Sequence, residues 1–471
     1  MSVPTAVLDE LRRIVGPAGY LDAPADLEPY TVDHRKLYRG ATPLVLRPSA
    51  TDQVSAILHA CNEAGVGVVP VGGNTSYCGG ATPSADGSQV VVSLARMRRI
   101  RALDPLNYTI VAEAGCVLAE VQAAAASVER LFPLSLGSEG SCQLGGNLST
   151  NAGGTAVLRY GMMRDLVLGL EVVLADGRVL EGLKTLRKDN TGYDLRDLFI
   201  GAEGTLGIIT AAACKLFSPP RETVTAIVAV AAPETAVALL SRMRVASGDA
   251  VTTFELMPRF ALDLVLRHIP QSSDPFETPY DWYVLLEIGV GRSKRGLRDS
   301  TEADLFAAME AGEIATAALA ENESQREKFW RLRETIPEAQ RAEGASIKHD
   351  ISVATHDLPR FIVEANAIVV QLAPRGRILA YGHLGDGNLH FNISQPTGTD
   401  PTEFIALAPR INRAIHDLVA GYGGSFSAEH GIGQLKRGEL LRYKNPVALD
   451  VMRTIKRALD PKGIMNPGKV L

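Results

Sequence analysis

The stretch that decides the fold runs from 137 to 154 and reads GSEGSCQLGGNLSTNAGG. It is too long for a single turn, and long ordered loops in compact domains usually have a function. Two shorter glycine loops, VGGNTS at 71–76 and GAEGTLGIIT at 201–210, lie in the same part of the chain. Glycine allows several backbone N–H groups to point at one anion, and Asn, Thr and Ser add side-chain donors. Together the loops predict a long polar ligand with a pyrophosphate, although the 71–76 loop alone would suit a tight surface turn equally well.

The common nucleotide motifs and several broad classes of protein are excluded by the sequence. No G-x-G-x-x-G follows the first strand and no G-x-x-x-x-G-K-S/T occurs, which argues against a Rossmann site and a P-loop. The 471 residues are 46% hydrophobic and 21% charged, as in globular rather than disordered or fibrous chains. A formal charge of −5 and 6% aromatic residues argue against nucleic-acid binding. No apolar run reaches about 18 residues, so we expect no transmembrane segment.

The cysteines and the first residues favour a reducing compartment. The five cysteines are widely spaced and form no C-x-x-C, so neither a disulfide framework nor a thiolate metal site is expected. The first sixteen residues, MSVPTAVLDELRRIVG, lack a basic-then-apolar leader pattern. We therefore expect a cytoplasmic protein. The basic run RMRRIR at 96–101 is typical of a solvated edge, and peripheral contact with a membrane or a partner is its alternative.

Apolar spacing predicts an α+β fold in three parts. A helix is expected at 48–66, with short strands at 66–71, 90–94, 108–113 and 167–174. Pro219-Pro220 marks a boundary. Strands at 223–231, 251–257 and 281–289 then alternate with helices, helices cover 301–341, and a hairpin follows at 377–394. This second part is expected to be an antiparallel sheet with helices on one face. The predicted parts are 1–220 (core about 35–218), 221–425, and a helical segment at 426–471.

The hairpin carries a candidate metal site. In YGHLGDGNLHFNI at 381–393, GDGN supplies the turn, and alternation places His390 and Asn392 on one face of the second strand. His383 closes the first strand, so the two imidazoles can converge. Downstream, AEHGIG adds Glu429 and His430 in a glycine loop. Two imidazoles and one carboxylate leave open coordination positions, as a catalytic metal requires. A lone hairpin histidine would more often be an ordinary polar residue, but this constellation favours a metal.

Several of these segments resemble one known family. PVGGNTS, GGNLSTNAGG, RYGMMRDLVLGLEVVLADG, RKDNTGYDLRDLFIGAEGTLGIIT and the terminal DPKGIMNPGK are similar to the vanillyl-alcohol-oxidase (PCMH-type) FAD-binding family, in its D-2-hydroxyglutarate and D-lactate dehydrogenase branch. The resemblance covers about residue 35 to the end. It implies an FAD-binding domain of two α+β subdomains, with an antiparallel-sheet substrate domain and a helical C-terminal segment that returns to the FAD.

The resemblance also implies where FAD lies. The pyrophosphate is expected on the 72–76 loop, the isoalloxazine near 138–154 and 203–209, and the C-terminal segment over it. Some relatives link a His or Cys to the flavin; the 72–80 loop has Cys78 but no His, and non-covalent FAD is expected. The residues implied to bind FAD come from the three loops and their neighbours: Val71, Gly72, Gly73, Asn74, Thr75, Ser76, Gly79, Pro133, Ser138, Gly140, Ser141, Cys142, Gly145, Gly146, Asn147, Thr150, Asn151, Gly153, Gly154, Glu203, Gly207, Ile209 and Asn466.

The resemblance assigns roles around the hairpin. It implies a divalent metal, usually zinc, on His383, His390 and Glu429, with His430 as the base and Asn392 touching substrate. A 2-hydroxy acid can chelate the metal, whose Lewis acidity lowers the pKa of the hydroxyl, so that His430 takes its proton near pH 7. The α-hydride would pass to flavin N5.

Two basic residues indicate which hydroxy acid is used. Arg333 and Lys348 would ordinarily be surface charges, but the resemblance implies that they grip the distal carboxylate of D-2-hydroxyglutarate. D-lactate enzymes lack that lysine. The chain departs from the family at Pro337, where a hydroxyl residue is usual. D-2-hydroxyglutarate is therefore the first substrate, with D-malate, D-lactate and glycolate as alternatives.

The sequence is compatible with two functional classes, an enzyme and a non-catalytic flavin-binding protein. The predicted enzyme is an FAD- and metal-dependent D-2-hydroxyacid dehydrogenase that forms the 2-oxo acid. The rival is a non-catalytic flavin-binding electron-transfer subunit, and the intact His383, His390, Glu429 and His430 set favours the enzyme. The electron acceptor is left open between an electron-transfer flavoprotein, a quinone, a cytochrome and oxygen. A homodimer is also left open.

Overall fold

The computed structural model describes residues 3–291 and 296–471. The α-helices of this part of the chain are α1 (Thr5–Val15), α2 (Pro24–Thr31), α3 (Thr51–Ala64), α4 (Leu118–Ala126), α5 (Leu144–Ser149), α6 (Val157–Tyr160), α7 (Arg196–Phe199), α8 (Pro233–Ser247), α9 (Arg259–His268), α10 (Leu297–Glu310), α11 (Glu323–Glu334), α12 (Ile336–Ala342), α13 (Leu358–Leu372), α14 (Pro401–Ile405), α15 (Ala408–Gly421), α16 (Arg437–Tyr443) and α17 (Pro446–Leu459). Short 3₁₀ turns occupy Pro17–Gly19, Met163–Leu166, Thr355–Asp357 and Leu384–Asp386.

The strands of the same residues form three sheets. They are β1 (Tyr20–Leu21), β2 (Val45–Leu46), β3 (Gly67–Val71), β4 (Gln89–Ser93), β5 (Ile100–Asp104), β6 (Thr109–Glu113), β7 (Val167–Val173), β8 (Val179–Gly182), β9 (Ile208–Lys215), β10 (Glu222–Val230), β11 (Val251–Pro258), β12 (Trp282–Val290), β13 (Thr316–Leu319), β14 (Ser346–Ser352), β15 (Arg377–His383) and β16 (Asn388–Ser394). The mixture of helices and largely antiparallel sheets confirms the predicted α+β class. No helix among the described residues is both long and apolar enough to cross a bilayer.

The chain divides into two compact units. The first comprises Met1–Gly154, Gly161–Ser218 and Glu429–Leu471, and the second comprises Thr155–Tyr160 and Pro219–Ala428. The first unit contains a four-stranded sheet in the order β1-β2-β4-β3 and a five-stranded sheet in the order β5-β6-β9-β7-β8. Strand β3 runs parallel to β4 and delivers the chain into the 71–76 loop.

Helix α3 shows how sequence pattern builds the first unit. Val54, Ile57, Leu58 and Cys61 recur at helical spacing, and all four are buried against the apolar side of the four-stranded sheet. The helix ends at Gly65, which adopts φ 65° as a left-handed C-terminal cap. The chain then enters β3. Helix and strand together fix the start of the first glycine loop.

The second unit is built on a seven-stranded sheet in the order β13-β10-β12-β11-β15-β16-β14. Strand β12 buries Val284 and Leu286 in a core shared with α8, α10, α13 and α15. Its alternate residues, Tyr283 and Leu285, belong to a second core shared with α9, α11 and α12. The expectation of helices on one face is therefore wrong. The strands are apolar on both faces, and each face needs its own layer of helices.

Strand β13 is a second difference from the predicted elements. Helices were expected over 301–341, but Thr316–Leu319 forms an edge strand antiparallel to β10. The segment has only four residues between charged helices, which is too short to give a clear period-2 pattern.

Three of the four arginines at 96–101 pair with carboxylates, and the fourth bonds to a backbone carbonyl. Arg99 and Arg101 both pair with the buried Glu113, at 2.8 and 3.2 Å. Arg98 pairs with Glu120, and Arg96 Nη1 donates to the carbonyl of Arg47 at 3.0 Å. These bonds all lie inside the first unit, which supports the prediction of a solvated structural edge.

Candidate active site

The first two glycine loops pack against one another in the first unit. A Cβ placed on Gly73 would lie 2.3 Å from the carbonyl oxygen of Ser141, and one on Gly72 would lie 3.4 Å from Gly146 Cα. The backbones therefore approach more closely than side chains would allow. The side chain of Asn74 is used inside the protein, because its Nδ2 donates to the carbonyls of Pro29 and Val32 at 3.2 and 2.9 Å. A contact of Asn74 with a ligand would therefore come from its Oδ1 or its backbone.

One side of the long loop is open. A Cβ on Gly137, Gly140 or Gly146 would meet no atom within 4 Å outside its immediate backbone. Gly146 lies in the first turn of α5, where backbone N–H groups lack partners inside the helix. Two polar side-chain atoms, Gln143 Oε1 and Asn466 Oδ1, are buried without a hydrogen-bond partner among the described residues. Such a cradle fits a polar ligand that brings its own donors and acceptors.

The third loop supports the segment that carries His430. Glu203 accepts hydrogen bonds from the N–H groups of Ile432 and Gly433, at 2.7 and 2.8 Å. Burial nevertheless raises the pKa of Glu203 above its ordinary value. Asn466 Nδ2 donates to the carbonyls of Glu203 and Gly80, at 2.8 and 3.0 Å. The C-terminal segment, the third loop and the His430 loop thus form one hydrogen-bonded group within the first unit.

Several other residues predicted to bind FAD have a structural role of their own. A Cβ on Gly154 would lie 2.0 Å from the carbonyl of Ser135, and one on Gly207 would lie 2.8 Å from that of Val173. Asn151 Oδ1 accepts from the N–H of Arg164 at 2.9 Å. The remaining predicted residues lie in the same loops or beside them: Pro133, Ser138, Cys142, Gly145, Asn147, Thr150, Gly153, Ile209, Val71, Thr75, Ser76 and Gly79. Their contacts with FAD stay a prediction.

The hairpin of β15 and β16 brings two histidines together in the second unit. His383 and His390 have ring centroids 5.5 Å apart, with the rings nearly perpendicular. Each offers one metal-ligating nitrogen, and the two ligand atoms lie within 4.8 Å of one another. Leu389 and Phe391 point into the apolar core on the other face of the strand. The alternation along β16 is as the sequence predicts.

A carboxylate that sequence reasoning missed lies behind the histidine pair. Glu255 of β11 is 1% exposed, and its Oε1 lies 2.6 Å from His383 Nδ1. Its Oε2 accepts from Arg333 Nε at 2.7 Å. Burial opposes ionisation of Glu255, but the positive charge of Arg333 and the hydrogen bonds from His383 and Arg333 outweigh it and lower the pKa of Glu255 to about 2. Because an ionised carboxylate only accepts, His383 Nδ1 is the donor.

Glu429, the third predicted metal ligand, and His430, the predicted base, follow the last residue of the second unit in sequence. The N–H of Ala428 bonds to the carbonyl of Asp350 at 3.3 Å, and Asp350 is the register partner of His390. Glu429 is one peptide bond further on. Within the first unit, Glu429 Oε1 accepts from the N–H of Gly154 at 3.2 Å. Within the second unit, His383 and His390 each offer a ring nitrogen that could hold a metal ion.

His430 has an aromatic neighbour that the sequence did not indicate. Its ring lies edge-on to that of Tyr77, with centroids 4.7 Å apart. Tyr77 in turn contacts His34 at 5.7 Å. These contacts restrain the orientation of the imidazole.

The predicted substrate residues lie on one face of the seven-stranded sheet. Arg333 is 7% exposed and lies 4.9 Å above the ring of Tyr381, so it is not a surface charge. Lys348 is exposed and is the register partner of Asn392, which puts both on the same face. Asn392 is buried, and its Nδ2 donates to Gln340 Oε1 at 3.0 Å. Pro337 lies in the first turn of α12.

Comparison with known proteins identifies the family. The model of the FAD binding domain matches residues 42–182, and the model of the C-terminal domain of FAD-linked oxidases matches residues 219–470. The chain belongs to the FAD-linked oxidase family. It is an FAD-dependent oxidoreductase, so the resemblance seen in the sequence is confirmed.

Two relatives that match nearly the whole chain are D-2-hydroxyglutarate dehydrogenases. A probable mitochondrial D-2-hydroxyglutarate dehydrogenase of Oryza sativa subsp. indica is 39% identical over 463 residues, which cover 98% of this chain and 80% of the relative. The mitochondrial D-2-hydroxyglutarate dehydrogenase of Bos taurus is 39% identical over 467 residues, 98% of this chain and 83% of the relative. The fold matches substrate-bound p-cresol methylhydroxylase with a TM-score of 0.77, at 16% identity and over 99% and 96% of the two chains.

The predicted cytoplasmic location is wrong by this comparison. The rice and cattle relatives of this FAD-linked oxidase are named as mitochondrial enzymes. The five cysteines are free and buried in the structure. Free thiols do not distinguish one reducing compartment from another.

Proposed function

We propose that this FAD-linked oxidase oxidises D-2-hydroxyglutarate to 2-oxoglutarate, with non-covalent FAD and a divalent metal ion, zinc first, as cofactors. The observation that carries the proposal is the set of D-2-hydroxyglutarate dehydrogenases matched over nearly the whole chain. The polar face of the second unit supports it, because the buried Arg333 and the His383–His390 pair are joined through Glu255. A cation and a pair of metal ligands suit a substrate with two carboxylates.

The metal ligands would be His383, His390 and Glu429. One donor per residue, nitrogen or carboxylate oxygen, suits zinc and leaves positions open for substrate. His383 Nδ1 is bonded to Glu255, so Nε2 is the nitrogen assigned to the metal. When bound, the metal supplies a Lewis acid that lowers the pKa of the substrate hydroxyl.

His430 would accept the proton of the substrate hydroxyl. FAD, when bound, supplies the acceptor for the hydride from the α-carbon. Loss of both leaves the 2-oxo acid, so protons and electrons balance. The edge-on contact with Tyr77 restrains the His430 ring, and the Glu203 carboxylate holds the backbone two residues beyond it. The base is therefore carried on a supported loop.

Arg333, Lys348 and Asn392 would hold the substrate. Because Arg333 Nε donates to Glu255, its contact with the distal carboxylate is assigned to its terminal nitrogens. Lys348 adds a second positive charge on the same face of the sheet as Asn392. The Nδ2 group of Asn392 is bonded to Gln340, which assigns Oδ1 to the substrate. The electron acceptor is proposed to be an electron-transfer flavoprotein or a quinone.

The proposed substrate is tested by anaerobic bleaching of the flavin with D- and L-2-hydroxyglutarate, D-malate, D-lactate and glycolate. Lys348→Met should raise the KM for D-2-hydroxyglutarate about tenfold to a hundredfold, the value of a charged hydrogen bond of about 1.5–3 kcal/mol. It should leave any D-lactate turnover nearly unchanged. The matched control is Lys328→Met, another exposed lysine of the second unit.

Two results would contradict the assignment. Equal losses on both substrates would place Lys348 away from the distal carboxylate. If D-lactate reduces the flavin of the wild type faster than D-2-hydroxyglutarate does, the substrate is the monocarboxylic D-lactate. The absence of a hydroxyl group at Pro337 would agree with that result. Precipitation in acid should release the flavin into the supernatant, and flavin retained in the pellet would mean a covalent link through a residue such as Cys78 or Cys142.

A further inference from the structure

Glu255 is a buried carboxylate in a strand that carries no other charged residue, so it is neither a typical strand residue nor part of a surface ion pair. It stands in the otherwise uncharged strand β11, between Phe254 and Leu256, which point into the opposite core. Its two oxygens are divided between partners far apart in sequence, His383 and Arg333. Burying a carboxylate costs several kcal/mol unless it is well paired. The bonds to His383 and Arg333 offset that cost, and they also fix both partners relative to one carboxylate.

We propose that Glu255 is a positioning residue that fixes the His383 ring for metal binding and ties it to the substrate-holding Arg333. The 2.6 Å contact to Nδ1 sets the tautomer, so that Nε2 is the unprotonated nitrogen. A metal-ligating histidine oriented by a carboxylate binds metal more tightly than an unsupported one. The 2.7 Å bond to Arg333 fixes the guanidinium by the same carboxylate. The inference rests on the proposed metal site and extends it.

The same sheet supplies a matched comparison. Glu287 of β12 is also largely buried, and it accepts from Arg326 Nε and Trp330 Nε1, each at 2.9 Å. Like Glu255, it pairs with an arginine of α11 on the same face of the sheet. Among the described residues, the Glu287 carboxylate bonds to Thr225, Arg326 and Trp330, none of which is a histidine. Replacing Glu287 therefore shows the effect of losing a carboxylate–arginine pair that does not contact a predicted metal ligand.

The experiment measures Zn²⁺ affinity of the flavin-loaded protein by competition with a fluorescent chelator. Glu255→Gln should weaken Zn²⁺ binding about tenfold to a hundredfold, the usual effect of removing such a supporting carboxylate. Glu287→Gln should leave Zn²⁺ affinity within about twofold of the wild type, because it breaks a partly buried carboxylate–arginine pair on the same face of the sheet, away from the histidines. Thermal unfolding of each variant, with and without Zn²⁺, reports stability separately.

A second variant covers the case in which Glu255→Gln does not fold. Glu255→Met combined with Arg333→Met removes both charges and leaves no unpaired ion in the core, a change that buried pairs often tolerate. This double variant should fold and still bind Zn²⁺ at least tenfold more weakly, since His383 has lost its partner.

The outcomes separate this inference from the function on which it rests. A wild type that binds no Zn²⁺ or Co²⁺ would remove the metal from the proposed function and the role of Glu255 with it. A wild type that binds Zn²⁺, with affinity unchanged in both Glu255 variants, would overturn the inference alone. Equal weakening in Glu255→Gln and Glu287→Gln would mean that the loss comes from general destabilisation, which also overturns it.

Discussion

Replacing Gly146 with alanine separates the stability of the first unit from its affinity for FAD. Gly146 lies inside α5 and does not have a positive φ. A Cβ there meets no atom within 4 Å outside its own helix and chain neighbours. Glycine within a helix costs about 1 kcal/mol relative to alanine. We therefore expect flavin-free Gly146→Ala to be as stable as the wild type, or more stable by up to about 1 kcal/mol.

The effect on FAD should have the opposite sign. If the flavin lies against the backbone at this glycine, the methyl group enters space that the ligand needs. Overpacking by a methyl group costs about 1–3 kcal/mol, so FAD should bind about tenfold to a hundredfold more weakly. The assay pairs denaturant unfolding of the flavin-free protein with titration of FAD followed by its fluorescence.

Gly73→Ala is the control for this experiment. Its Cβ would lie 2.3 Å from the carbonyl of Ser141, so it should lower the stability of the flavin-free protein and FAD affinity together. Unchanged FAD affinity in Gly146→Ala would refute the reasoning, because the open side of α5 would then not face the cofactor.

Two further predictions concern the metal and the C-terminal segment. His390→Ala, or a chelator, should abolish turnover while leaving FAD bound. Added metal should restore the chelated wild type but not the variant, and metal-free wild type that reduces its flavin at an unchanged rate would exclude the Lewis-acid role. Lys469 is 3% exposed, and burial, with a smaller effect of Arg437, lowers its pKa to about 8 from 10.5. The unfolded chain then binds more protons between pH 8 and 10.5, so the free energy of unfolding should rise with pH across that interval by about 3 kcal/mol. Denaturant unfolding between pH 7 and 10.5 should show a smaller rise in the free energy of unfolding for Lys469→Met than for the wild type. If the two proteins give parallel plots of this free energy against pH, the lowered pKa of Lys469 is contradicted.

Local patterns predicted the elements that lead into the site. Helix α3 and strand β3 lie where periodicity and the following glycines indicate, because each buries one continuous set of apolar residues. The hairpin of β15 and β16 also follows from alternation and a GDGN turn. The helical layers on both faces of the seven-stranded sheet were missed. A strand such as WYVLLEIGV, at 282–290, is apolar on both faces, and its pattern does not say how many layers cover it.

The parts of the candidate site that the sequence did not predict depend on contacts between residues far apart in the chain. Glu255 is 128 positions from His383 and 78 from Arg333, and no spacing rule connects them. A usable signal was present, since a single carboxylate within an otherwise uncharged strand needs a buried partner. The same bond explains why Arg333 is buried. An arginine on a polar helix is typically a surface charge, and only the location of its partner reverses that expectation.

The glycines of this chain look alike in sequence but serve two different purposes. At Gly73 and Gly154 a Cβ would collide with backbone oxygens of the protein itself, at 2.3 and 2.0 Å, whereas at Gly140 and Gly146 it would enter open space. The first pair is needed for packing whether or not a ligand is bound. The second pair has no such requirement within the described residues, so Gly146→Ala can test ligand approach without disturbing the packing of the loops. Glycine-rich composition alone therefore does not distinguish the glycines that backbone packing requires from those that it does not.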